Sequence, residues 1–251
     1  MIRKSFIFLE RIGKKKEENI WKQAGSWDDF LKTSEIKGIE NSRKKNYNRR
    51  ILEARKSLYD LDSSYFIGKL PQPEMWRLYD FFKDESVFLD IEVDNVRGDV
   101  IVVGLFDGID TKTMIKGINL DFNILEEELR KYKLIVTFNG AVFDVPFLKK
   151  RYPRLLPDVP VFDLRVLCSR LGYKGGLKQI EKEFGIKRNK IVEEIYSGDP
   201  YLLYRMFRGS GDKDYLDLLV EYNEEDVINL KAIADKCFKM MEKKFKEKYI
   251  V

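Results

Sequence analysis

The chain has 251 residues, 44 % of them hydrophobic and 35 % charged, with 47 Lys and Arg against 42 Asp and Glu, enough to bury one sizeable core with a small appendage. It contains no histidine, which excludes His-activated nucleophiles, His general bases and Cys/His zinc sites and leaves carboxylates, Tyr, Lys or an oxygen-held metal for any chemistry. No apolar run approaches the roughly 20 residues of a membrane span, and Met1 to Leu9 is too short for a signal peptide and lacks its cleavage site. The two cysteines, Cys168 and Cys237, fall in helical patterns, so core packing in a reducing compartment is expected of them. A cytoplasmic protein without membrane association is the expectation.

The charge is unevenly placed. Residues 1–60 hold 16 Lys and Arg and 9 Asp and Glu, a surplus of seven in a chain whose net charge is +5. A basic segment beside a mildly acidic remainder suits a polyanion-binding module next to a metal-binding one; a solvated surface would have the same balance. Two stretches of this segment are alike. Leu9 to Trp21 and Ile36 to Tyr47 each carry an apolar residue, a turn with Gly13 or Gly38, and a Lys-rich helix start. A Gly turn lets backbone approach a phosphate, and the helix N-terminus behind it offers free N–H groups. Between them Ser26 caps a short helix. The pair resembles helix-hairpin-helix modules, which grip DNA backbone without reading bases. That resemblance implies backbone contacts from Gly13, Lys14, Lys15, Gly38, Lys44 and Lys45. The alternative is a helical docking segment with a solvated basic face. Either way, residues 1–66 are expected to form a small all-α segment and 67–251 a second domain.

A helix is expected over Arg49 to Tyr59, then a turn cluster from Asp60 to Ser64. After Pro71 and Pro73, Glu74 to Phe82 has the spacing of an amphipathic helix, with Met75, Leu78, Tyr79 and Phe82 on one face. Val87 to Val93 reads as a strand. Its residues alternate faces, so Val87, Leu89 and Ile91 point one way and Asp90 and Glu92 the other. Val100 to Phe106 and Thr113 to Ile118 complete a meander around the Asp107-Gly108 turn. Asn123 to Tyr132 is helical, and Leu134 to Phe138 is a short apolar strand of the buried, central kind. Helices are expected at Phe143 to Arg151, Leu164 to Leu171, Leu177 to Phe184 and Pro200 to Phe207. A break at Gly209 to Gly211 precedes one long helix from Asp214 to about Lys244. Strands followed by helices around an inner strand define an α/β mixed sheet flanked by helices.

Three pieces carry chemistry. Asp90 and Glu92 put two carboxylates side by side in an apolar strand, which is costly unless a cation lies between them. Asp144 follows the inner strand, where open α/β sheets place their ligands. Tyr222 and Asp226 are four apart on the long helix, on the face that also carries Leu219, Leu230 and Ile233. Separately, each acid has an ordinary explanation: a wet edge strand, a helix-start acid, partial exposure.

In this order the pieces, Asp-x-Glu, Phe-Asn-Gly-x-x-Phe-Asp and Tyr-Asn-x-x-Asp-Val, resemble the DnaQ-like (DEDD) exonucleases of the ribonuclease-H-like superfamily. The Tyr four residues before the last Asp matches the DEDDy branch. The run from Phe162-Asp163-Leu164 to Gly175-Gly176-Leu177-Lys178-Gln179-Ile180-Glu181 looks like the YprB-type subgroup. The resemblance covers about residues 85–240 and departs from the pattern at Val93-Asp94-Asn95-Val96, where relatives carry small Thr and Gly residues. It implies a ribonuclease-H-like fold and a 3′–5′ exonuclease using two Mg²⁺ or Mn²⁺ ions. It also implies that Asp90 bridges both ions, Glu92 and Asp226 complete one, Asp144 holds the other and Tyr222 orients the attacking water. Phe138, Asn139 and Phe143 are candidates for the nucleotide pocket; the two Phe could equally be core and Asn139 a turn former. Lys178 and Arg188 are candidates for phosphate contacts, with surface charge as the plain alternative. Asp163 is either an acid behind the metal ligands or the cap of the next helix.

The partner expected is single-stranded nucleic acid, DNA favoured over RNA, with homo-oligomerisation left open. Three competing readings are an RNA-processing nuclease of the same fold, a non-catalytic nucleic-acid-binding adaptor and a metal-stabilised scaffold. The basic N-terminal segment argues against the last.

Overall fold

The computed structural model describes residues 1–94, 97–189 and 199–249. Five strands form one sheet in the order β3-β2-β1-β4-β5: β1 Ser86–Val93, β2 Val100–Phe106, β3 Thr111–Ile115, β4 Leu134–Thr137 and β5 Val161–Asp163. The first three are an antiparallel meander, while β4 and β5 add in parallel on the other side of β1. The acid-bearing strand is therefore the central one, covered on both faces.

Among the described residues the α-helices are α1 Lys14–Trp21, α2 Trp27–Lys32, α3 Asn41–Tyr59, α4 Tyr79–Phe82, α5 Phe122–Leu129, α6 Asp144–Arg151, α7 Leu164–Leu171, α8 Leu177–Glu183, α9 Pro200–Ser210 and α10 Lys213–Tyr249. Alternation in β1 divides the packing. Val87, Leu89 and Ile91 join a core with Leu125 and Leu129 of α5 and Leu148 of α6. Phe88, on the opposite face, joins a core with Val227, Leu230 and Ile233 of α10 and Leu164 and Leu167 of α7. Asp90 and Glu92 thus face the α10 side. None of the described helices is long and apolar enough to cross a membrane.

The second core does not stop at residue 66. Ile2, Phe6, Trp27, Phe30 and Ile51 belong to it together with Phe82, Phe162 and Val227. A buried ion pair crosses the same boundary. Glu17 of α1 accepts from the backbone N–H groups of Phe6 and Ile7 at 2.7 and 3.0 Å and from Arg77 Nη1 and Nη2 at 2.8 and 3.0 Å. Both side chains are almost fully buried, so removing one partner would strand the other charge.

Several local expectations are corrected. Gln72–Leu78 is a 3₁₀ helix that passes into α4, in place of one amphipathic α-helix. Five consecutive residues, Glu74 to Leu78, are buried there, including the charged pair Glu74 and Arg77, so burial does not follow a single helical face. Helix α3 starts at Asn41, well before Arg49, because Lys44, Tyr47, Ile51, Ala54 and Leu58 bury one continuous stripe at helical spacing. The third strand ends at Ile115, whose N–H is taken by the Asn119 side chain at 2.6 Å. Helix α9 runs through Gly209 to Ser210 and is ended by Gly211. Strand β5, three residues long, is too short to give a pattern. Cys168 and Cys237 are buried with their Sγ atoms 3.6 Å apart, in keeping with core packing.

Candidate metal centre and active site

Asp90 and Glu92 leave β1 on the α10 side, and Asp226 meets them from α10. One carboxylate oxygen from each of the three lies within 4.8 Å of the others. Asp226 is 5 % exposed and Asp144 6 %, so the charges meet where water can do little to separate them. Burial, then repulsion from Asp226, Glu92 and Asp144, pushes the Asp90 carboxyl well above the usual range. Burial and the charges of Asp226 and Asp144 push Glu92 up to about 8. Burial raises Asp226 to about 6, against the opposing pull of Arg188. Three carboxylates crowded together at the cost of mutual repulsion fit a hard divalent ion, and a donor set made of oxygen alone fits Mg²⁺ or Mn²⁺.

Asp144 stands at the start of α6, outside the 4.8 Å group. Burial and then Asp163 raise its carboxyl to about 7, and its charge bears on both Asp90 and Glu92. The turn that delivers it needs Gly140. A Cβ there would lie 2.6 Å from the Thr137 Cβ and 2.7 Å from Asp144 Oδ2. Asp163 anchors the turn by accepting from Asn139 N–H at 2.9 Å and Ala141 N–H at 3.1 Å. It also caps α7 by accepting from Arg165 N–H, so it does the work of a cap and holds the Asp144 turn as well.

Tyr222 is 6 % exposed on α10, one turn before Asp226. Burial and the charges of Asp226 and Glu92 raise its phenol, so it keeps its proton. Lys178 of α8 sets its ammonium 4.9 Å from the centre of the Tyr222 ring. Phe138, Gly176, Leu177 and Lys178 line, with Asp90, Tyr222 and Asp226, a cleft of about 400 Å³.

Asn139 and Phe143 are not among the residues lining that cleft. Asn139 is in the left-handed region at φ +65°, and its side-chain oxygen accepts from Arg165 at 2.8 Å; it is a turn former. Phe143 is half exposed and stacks on Phe147. Arg188 is not surface charge, its side chain being buried. Its Nε and Nη2 grip Glu181 at 2.6 and 2.7 Å, and Nη2 also donates to Asp226 Oδ1. Asn95 and Val96, where the pattern departs, lie outside the described residues.

In the basic segment Gly13, Lys14, Lys15, Gly38 and Lys45 are exposed. Gly13 and Glu40 stand at the N-caps of α1 and α3 with no side-chain cap bond. Lys44 is a correction: it is 3 % exposed, with Nζ donating to Phe30 O at 2.8 Å and Asn48 Oδ1 at 2.7 Å. It belongs to the inner stripe of α3 and cannot also serve a phosphate outside. Lys14 reaches Glu74 at 3.7 Å.

Three residues of the site escaped the sequence reading in whole or part: Glu181, Asn223 and Gly104. Glu181 ends the quoted Gly175 to Glu181 run, but nothing there points to its pairing with Arg188. Asn223 lay inside the quoted Tyr-Asn-x-x-Asp-Val. Gly104, in a strand that is otherwise wholly apolar, carried the usual mark of a close approach.

A mixed sheet with a central acid-bearing strand, completed by an acid from a helix packed across it, is the architecture of a ribonuclease-H-like domain. The chain belongs to the RNase H superfamily, whose family model matches residues 87–238. The match begins with β1 and ends on α10, so it contains Asp90, Glu92, Asp144, Asp163, Glu181 and Asp226. Membership suggests a nuclease. Among solved structures, the family B DNA polymerase from the hyperthermophilic archaeon Pyrobaculum calidifontis is similar over 60 % of this chain and 24 % of its own, at 17 % identity and a TM-score of 0.47. No curated protein matches.

Proposed function

We propose that the chain is a divalent-metal-dependent 3′–5′ exonuclease of the DEDDy, YprB-like kind. It shortens single-stranded ends, DNA in preference to RNA, and releases nucleoside 5′-monophosphates. The observation that carries this reading is the meeting of Asp90, Glu92 and Asp226 within 4.8 Å in a superfamily domain, with Tyr222 one helical turn away. Asp90, Glu92 and Asp226, with Asp144 beside them, would hold two Mg²⁺ or Mn²⁺ ions. Such ions, when bound, lower the pKa of a water nucleophile and offset charge on the leaving oxygen.

The chain's own groups do the rest. Tyr222, still protonated, orients the attacking water by hydrogen bonding. The Lys178 ammonium, at the mouth of the same cleft, meets the phosphate of the entering strand. Phe138 gives the cleft an apolar wall for a base or sugar. Farther out, Lys14, Lys15 and Lys45 attract the backbone of a longer strand without regard to sequence, and the uncapped helix starts near Gly13 and Gly38 supply N–H donors.

The test uses single-stranded DNA and RNA oligonucleotides labelled at either end, in Mg²⁺ or Mn²⁺. A ladder that shortens from the 3′ end, faster on DNA, supports the proposal. Preference for RNA would make this an RNA-processing nuclease, and binding without shortening would make it an adaptor.

A further inference from the structure

Asn223 is fully buried on α10, next to Tyr222. Its amide lies directly over Gly104 of β2, the residue paired with Asp90 in the sheet. A Cβ at Gly104 would come within 2.2 Å of Asn223 Oδ1 and 2.8 Å of Cγ and Nδ2, so the sheet is open at this one point to admit the amide. The two ends of the amide are bonded differently. Oδ1 accepts from Thr113 Oγ1 of β3 at 3.3 Å, and Nδ2 donates to Asp90 Oδ2 at 3.4 Å. The Asp90 carboxylate selects this orientation, because turning the amide over would set its carbonyl against that carboxylate, and the Thr113 hydroxyl then donates to the Oδ1 end.

We propose that Asn223 is the positioning residue for Asp90, that Gly104 provides its space and that Thr113 secures its carbonyl end. The inference rests on the reading of Asp90 as a metal ligand. The chemistry favours an amide here over a cation. A neutral donor orients one Asp90 oxygen without cancelling the negative potential that attracts a divalent ion, whereas Lys or Arg in the same place would compete with that ion. Three elements, β2, β3 and α10, are thereby committed to the geometry of one carboxylate on a fourth.

The experiment measures Mn²⁺ affinity without nucleic acid, by the paramagnetic resonance signal of free Mn²⁺, together with the melting temperature of the metal-free protein and kcat and KM on a short single strand. Asn223→Ala should lose about tenfold or more in Mn²⁺ affinity, the usual range when a group behind a metal ligand is removed. Its kcat should fall while KM stays within about twofold. Gly104→Ala should lower the melting temperature and the affinity together, because the methyl group drives Asn223 out. Gly104→Ala/Asn223→Ala should regain the melting temperature, since the methyl group now occupies vacated space, but not the affinity. That separation is one a packing role would not produce. Thr113→Val, which keeps volume and leaves Asn223 in place, should weaken Mn²⁺ by a few fold, and it carries the test if the Asn223 variants fail to fold. Affinity within twofold of wild type in the folded Asn223→Ala protein, or in Thr113→Val, overturns the inference. Tight Mn²⁺ binding by a wild-type protein that hydrolyses no strand would count against the nuclease reading and leave this one standing.

Discussion

Arg188 and Asp226 form a buried ion pair in which the arginine is itself held by Glu181 through two bonds of 2.6 and 2.7 Å. Both side chains of the pair are less than a tenth exposed. Burial alone would favour loss of the guanidinium charge, but the bonds to Glu181 and the charge of Asp226 outweigh it and raise the pKa of Arg188. Asn229 adds a bond to Glu181 at 3.0 Å. Replacing Arg188 by Gln leaves Glu181 as a buried charge without its partner. The metal-free protein should lose about 3–5 kcal/mol, the cost of breaking a buried pair from one side, measured by urea unfolding in chelator. Arg188→Lys should recover only part of it, since an ammonium lacks the planar fork that engages both Glu181 oxygens. Unfolding midpoints equal to wild type would show that the pair adds no net stability.

The acid cluster makes stability depend on pH in an unusual direction. Glu92, Asp144 and Asp226 are raised to about 8, 7 and 6, above the ordinary carboxylate values near 4 that they regain on unfolding. The folded state therefore binds protons more tightly than the unfolded one. This contribution is fully present below about pH 4 and is lost as pH rises through 6 to 8. Melting curves in chelator should show this component falling between pH 5 and 8. Saturating Mn²⁺ should flatten the fall, because the ion takes over from the protons. A chelated protein whose melting temperature rises steadily across that interval would contradict the cluster's electrostatics.

Tyr222→Phe removes one hydroxyl from a ring that stays packed on α10. If the phenol orients the attacking water, kcat should drop by roughly 10²-fold, the low end of proton-handling effects, with KM nearly unchanged. Steady-state kinetics on a short single strand check this. A raised KM at constant kcat would assign Tyr222 to binding.

Among the basic residues, exposure separates two roles. Lys14→Ala, Lys15→Ala and Lys45→Ala together should weaken binding of a long single strand. They should make the slope of log affinity against log salt shallower by up to about three, one for each lost contact. Lys44→Ala should leave that slope unchanged and instead cost about 1–3 kcal/mol of stability, because the Phe30 carbonyl loses its donor. Fluorescence anisotropy over a salt series and urea unfolding distinguish the two effects. Equal slopes for wild type and the triple variant would assign the segment to docking alone.

How far the sequence could be read follows from the range of each interaction. The β1 acids were legible because alternation is a local rule, and Asp226 because four residues make one helical turn. The long helix and the inner strand β4 stood out for the same reason. What stayed hidden depends on chain segments far apart in sequence. Lys44 and Lys45 are adjacent and chemically alike, yet α3 turns one inward and the other out, which only its packing against Phe30 decides. The sequence offers Arg188 only as a phosphate contact or surface charge, because Glu181 and Asp226, its partners, lie 7 and 38 residues away. The 3₁₀ helix at Gln72–Leu78 was invisible because Arg77 reaches back to Glu17, 60 residues earlier.

The most direct test of the central claim is a Mg²⁺ titration of single-strand hydrolysis by wild type and Asp90→Ala, each with circular dichroism as a check on folding. The account predicts hydrolysis by the wild type that requires the ion and stops with chelator. It predicts a folded Asp90→Ala protein at least about 10³-fold slower, as expected when a carboxylate central to metal-ion catalysis is removed. Hydrolysis that survives chelator, or an Asp90→Ala protein as active as wild type, would contradict it.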